Sequence, residues 1–134
     1  MKRLLKQYYQ SWDLLKKMKN DALKNPRVII VQKLYSHHLN KDSEISFPKH
    51  KYKKFIKDVV TGTIERKELI EDLMHKELKD DINENRTEII MKLMIMAAIY
   101  EFLYMHKTPI KVIISEYLKA VSYTHLTLPT NREV

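Results

Sequence analysis

The side chains with chemistry to offer are few. They are the adjacent His37 and His38, a Glu71/His75 pair four residues apart, the acidic pairs Glu71/Asp72 and Asp80/Asp81, and a scatter of basic residues from Lys24 to Lys57. Neighbouring residues on a helix diverge by about 100°, so His37 and His38 do not readily chelate one ion. Glu71 and His75 suit an ion pair as well as two metal ligands, and no further ligand stands at matching spacing, so neither a metal nor a cofactor is expected. The acidic pairs lie in a densely charged stretch and read as a solvated face. Seven methionines fall within helical core patterns and read as packing. The single glycine, Gly62, argues against a glycine-rich phosphate loop. The absence of cysteine removes thiol catalysis and disulfides, and fits a reducing, cytoplasmic setting. With no nucleophile–base pair in view, the chain is not expected to be an enzyme.

The basic residues carry the better signal. Lys24 and Arg27 stand at the start of a helix, where unpaired backbone N–H groups and the dipole already favour a phosphate. Lys33 and His37 follow on the side expected to face water, and Lys49, Lys51, Lys53, Lys54 and Lys57 crowd the next helix start. Residues 1–57 hold fifteen Lys/Arg against four Asp/Glu, whereas residues 58–121 hold nine against twelve. Such a skew suits a polyanion on one face and a basic partner on another, or simply a lysine-rich solvated surface.

These residues need helices to position them, and the periodicity is helical throughout. With 134 residues the chain makes one domain. Asn25 caps and Pro26 occupies the first position of a helix running to about Leu39. Its wheel points Val28, Val31, Leu34, Tyr35 and Leu39 inward, and Lys33, Ser36 and His37 outward. Residues 40–47 read as a polar loop. Pro48 then opens a helix whose Tyr52, Phe55, Ile56, Val59, Val60 and Thr63 recur at helical spacing, with Gly62 in line as the mark of a close crossing or a bend. Leu69, Ile70, Leu73, Met74 and Leu78 continue a stripe through a charged segment. Asn85 with Glu88 resembles a capping box. Residues 89–104 are apolar on nearly all sides, as in a central helix. Thr108 and Pro109 cap a last helix with Ile110, Ile113, Ile114, Tyr117 and Leu118 inside and an inward Glu116. No run is long and apolar enough to suggest a bilayer span.

The two ends stand apart from this body. Residues 1–23 form an N-terminal extension in which Leu4, Leu5, Tyr8, Tyr9, Trp12 and Leu15 fall at helical spacing with lysines opposite. It reads as a basic amphipathic arm, or as translated sequence ahead of an alternative start at Met18. Residues 121–134 break the helical period and resemble an in-frame translation of a transposase-based sequencing adapter, so they read as a non-native tail.

Residues 24–120 resemble the NusB family. The likeness rests on Arg27 followed by Gln32-x-Leu34-Tyr35, on the central segment containing Gly62, and on an apolar helix ending in Tyr100-Glu101. A short link, Pro109 and the helix bearing Glu116 complete it. The resemblance implies the all-α NusB-like helical bundle, here with its C-terminal helix missing and an apolar patch exposed in consequence. It implies a bacterial antitermination factor that binds boxA-type, single-stranded leader RNA of ribosomal RNA operons. The partners implied are NusE, a small-subunit ribosomal protein, and the RNA polymerase antitermination complex; a homodimer is compatible, and no membrane is involved. The RNA-binding residues it implies are Lys24, Arg27, Gln32 and Tyr35, to which the exposed basic side of the same helix adds Lys33 and His37, although Pro26 interrupts the helix where relatives continue it and Met96 replaces an arginine common in the family. The alternatives are a NusB-like accessory domain of a ribosomal RNA cytosine methyltransferase and an unrelated helical protein-interaction module.

Overall fold

A computed structural model describes residues 22–78 and 86–127. Among them every regular element is a helix. The helices are α1 (Pro26–Leu39), α2 (Lys53–Glu65), α3 (Lys67–Leu78), α4 (Arg86–Tyr100) and α5 (Ile110–Thr127), with a π-helical turn over Glu101–Met105 between the last two. The Asn85/Glu88 cap and the extension before Ala22 fall outside what the structure describes.

The start of α1 follows from local chemistry. Asn25 is extended and its side-chain oxygen accepts the Arg27 N–H at 3.0 Å, while Pro26 sits where its missing N–H costs nothing. α1 then runs through the middle of the bundle, touching α2, α4 and α5. That position explains why Val28, Ile29, Ile30 and Val31 are all buried in succession, on every side of the helix. Leu39, expected inside, is instead 67% exposed, because the last turn of α1 projects beyond its neighbours.

α2 does not open at Pro48. His50 delays it: the His50 ring accepts the Tyr52 N–H at Nδ1 (3.0 Å), and its Nε2 lies 3.2 Å from the Leu23 carbonyl. The two contacts together require the proton on Nε2, and they tie the turn before α2 to the approach to α1. Tyr52 is thereby left on the surface rather than in the core. From there the expected stripe holds, with Ile56, Val59, Val60 and Thr63 buried. Gly62 lies against the Tyr100 ring so closely that a β-carbon would collide with the ring's hydroxyl end. Its role is a close crossing of α2 and α4.

On α3 Ile70 and Met74 of the expected stripe are buried while Leu69 and Leu73 are open, because α3 meets the bundle along a single row; the Leu78 side chain falls outside what the structure describes. Its Glu71 lies 3.3 Å from Lys92 of α4 and 3.9 Å from Lys67, so the carboxylate serves ion pairs of modest worth. Among the described residues no three His, Asp or Glu side chains gather as metal ligands, and no helix is long and apolar enough to cross a membrane.

α4 does not continue regularly to residue 104. After Tyr100 it widens into the π turn, closed by the His106 N–H on the Glu101 carbonyl (3.4 Å), and His106 itself is left-handed. α5 splits its expected inner face in two. Ile113, Tyr117 and Ala120 are buried, whereas Ile110, Ile114 and Leu118 are about half exposed and line an apolar groove against α4. Glu116 is not the inward acid; it lies beside Lys119 at 3.4 Å near the surface. α5 also runs seven residues past Ala120, correcting the expectation that it stops there. Residues 121–127 contain neither Gly nor Pro, and Pro129, which disfavours helix in the residue before it, is the first breaker met.

Candidate nucleic-acid interface

Among the described residues the buried acid is Glu101, 2% exposed, at the first position of the π turn. It receives the Arg27 guanidinium through two hydrogen bonds, Nη2 to Oε1 at 2.7 Å and Nε to Oε2 at 3.1 Å. The fork matches the carboxylate edge, the geometry in which arginine surpasses lysine. The guanidinium carbon also lies 5.2 Å from the Phe55 ring centre and 5.4 Å from that of Tyr117, so aromatic faces replace water around the cation. One ion pair thus ties α1 to the end of α4, with α2 and α5 supplying the walls.

Arg27 was expected on the surface at a phosphate site; its side chain is 11% exposed and turned inward instead. Burial opposes its charge, but the bond to Glu101 and that carboxylate's field outweigh this and raise its pKa. Its backbone N–H is also taken, by Asn25, which leaves this helix start less open to an anion than the sequence suggests.

Tyr117 completes the surroundings. Burial first, and the nearby Glu101 charge next, push its hydroxyl well above the ordinary tyrosine range, and among the described residues that hydroxyl finds no well-formed hydrogen bond. A buried hydroxyl without a partner costs stability. Tyr117→Phe is therefore expected to melt at an unchanged or higher temperature at pH 7. Because the folded-state pKa is raised, wild-type stability is intact below the unfolded value of about 10 and declines as pH climbs beyond it. The phenylalanine variant should lose less stability over that alkaline range, as denaturant melts at pH 7 and above pH 10 will show.

The remaining expected contact residues do not share one face. Lys24 is exposed just ahead of α1. Gln32 and Lys33 are half-buried and flank the exposed Ser36, whereas Tyr35 is packed against the core. His37, expected to face water, is half-buried, and its Nδ1 is enclosed without a hydrogen-bond partner beside Thr63, whose hydroxyl is in the same state. About 100° per residue separates Tyr35 from His37 by roughly 200° around the helix.

What the fold does bring together is Lys24 and the lysine-rich turn. The His50–Leu23 contact sets residues 49–53 beside residue 24, and Lys24, Lys49, Lys51, Lys53, Lys54 and Lys57 are all exposed. Tyr52 stands among them, 47% exposed, with the Lys51 amine 5.5 Å from its ring centre. The lysines were legible in the sequence; Tyr52 was assigned to the core because it shares the helical period of Phe55, Ile56 and Val59.

The NusB family model matches residues 24–125. The chain belongs to the NusB family. The match spans the helices that carry the Arg27–Glu101 pair and the lysine edge, and it supports a NusB-like RNA-binding role in transcription antitermination. Comparison with curated proteins and with solved structures returns no significant match.

Proposed function

We propose that this chain is a transcription antitermination factor that binds boxA-type leader RNA of ribosomal RNA operons together with a NusE-type ribosomal protein, within the RNA polymerase antitermination complex. The observation that carries the reading is the NusB-family match over a body whose exposed lysines gather around one exposed tyrosine. Single-stranded RNA offers phosphates to cations and unstacked bases to aromatic faces, and a Tyr52 platform bordered by Lys51 and Lys53 suits both. Lys24 extends the basic edge toward α1, and Gln32 and Lys33 carry it along the outward side of that helix. Tyr35 and His37 serve at the flanks of this track, with their ring bodies held by the core. Arg27 acts from within, by fixing the start of α1 relative to α4.

The test is an RNA titration with and without the NusE-type protein. A boxA-type single strand should bind more tightly than a scrambled strand of equal length, and adding the protein partner should tighten the boxA complex selectively. Equal affinity for both strands, unchanged by the partner, would exclude the antitermination reading while leaving the fold untouched.

A further inference from the structure

His37 in the last turn of α1 and Thr63 near the end of α2 line one recess of about 20 Å³, whose apolar walls include Ile64, Leu93 and Met96. Thr63 is 1% exposed, and neither its hydroxyl nor the enclosed His37 Nδ1 has a hydrogen-bond partner among the described residues. Each such atom, shut away from bulk solvent, costs stability until something pairs with it. A threonine inside a helix can bond the carbonyl four residues back. Thr63 does not, which leaves its hydroxyl to the recess.

We propose that this recess is the site of a single bound water that hydrogen-bonds both atoms and bridges α1 to α2. Two buried polar atoms, with space on the order of one water molecule, meet the requirement for an ordered internal water. The ligand is neutral: the Lys67 side chain on the same wall repels a cation, and the apolar walls give an anion little to bond. The bridge forms with either neutral tautomer of His37, since a water both donates and accepts and the Thr63 hydroxyl turns to suit. It stands where α1 runs out of neighbours, for two residues beyond His37 the Leu39 side chain is mostly exposed. The Tyr117 hydroxyl, also buried without a partner, lines the apolar groove against α4 instead. Among the described residues no second such atom lines that groove, so a hydroxyl is dispensable there and required here.

A high-resolution crystal structure of the full chain should show one ordered water about 2.7–3.2 Å from both His37 Nδ1 and Thr63 Oγ1. Thr63→Val keeps the shape of the side chain and removes its polar atom. In denaturant melts it should raise the unfolded fraction roughly ten-fold, because the buried His37 nitrogen is left unpaired. Adding His37→Leu removes that nitrogen as well, so His37→Leu/Thr63→Val should recover most of the loss. A wild-type recess without the water would overturn the proposal. So would Thr63→Val as stable as the wild type or more so, the result for a dry, unpaired hydroxyl. A loss that His37→Leu leaves undiminished would overturn it too, since the two atoms would then share no ligand.

Discussion

Glu101→Ala is expected to be the most damaging single change, costing about 3–5 kcal/mol because it leaves the Arg27 charge buried without its partner. Against a total stability of about 5–15 kcal/mol, that loss brings much of the chain to the edge of unfolding. Arg27→Ala should cost a similar amount by stranding the Glu101 carboxylate, which is the more deeply buried of the two. The paired replacement Arg27→Met/Glu101→Leu removes both charges and keeps the volume, so it should recover most of the loss. Chemical denaturation of the two single variants and the double variant measures this. If the double variant loses as much as the two single changes summed, the pair is not coupled and the ion pair does not hold α1 to α4.

Gly62→Leu should cost about 1–3 kcal/mol from overpacking, because the side chain would enter the space filled by the Tyr100 ring. Even Gly62→Ala, which gains about 1 kcal/mol of helix propensity, sets its β-carbon against that ring. The ring cannot swing away without loss, since it stacks on Tyr104 at 5.2 Å and Tyr104 in turn lies under the Arg66 guanidinium at 4.3 Å. Tyr100→Ala alone should destabilise, whereas Gly62→Leu/Tyr100→Ala should be more stable than the sum of the two changes predicts. Strict additivity in thermal melts would show that α2 and α4 cross elsewhere.

Both predictions rest on features partly legible in the sequence. Gly62 stood in an apolar helical line, where a residue without a side chain needs a packing reason, and the structure supplies it in Tyr100. Asn25 and Pro26 announced the start of α1 because their preference is local and needs no tertiary partner. Glu101 was the harder case. It is one of two charges in an apolar run, and Arg27 is the only charge between Pro26 and Gln32, yet their meeting depends on a separation of 74 residues that periodicity does not encode. The same limit explains the inward assignments of Leu39, Tyr52, Leu69 and Leu73. A helical wheel identifies an apolar side, but not how far along that side a partner extends. Ile110, Ile114 and Leu118 show this most clearly: their stripe is as regular as that of Ile113 and Tyr117, and only the neighbouring helices decide which stripe is covered.

The basic edge was legible as charge and not as a shape. Nothing in the spacing of Lys24 and Lys51 says that they are neighbours, since the link between them is a histidine ring reaching a backbone carbonyl. That contact converts a lysine-rich composition into a surface, and it separates Arg27, which builds the body, from the lysines offered to a ligand.

The most direct test is the salt dependence of boxA-type single-stranded RNA binding, compared between the wild type and Lys24→Ala/Lys51→Ala/Lys53→Ala. Each phosphate contact to a single strand contributes about 0.7 to the slope of log affinity against log salt. Losing three such contacts should lower that slope by about 2, with an unchanged thermal melt because all three side chains are exposed. A slope identical to that of the wild type would contradict the assignment of this edge as the RNA-binding face.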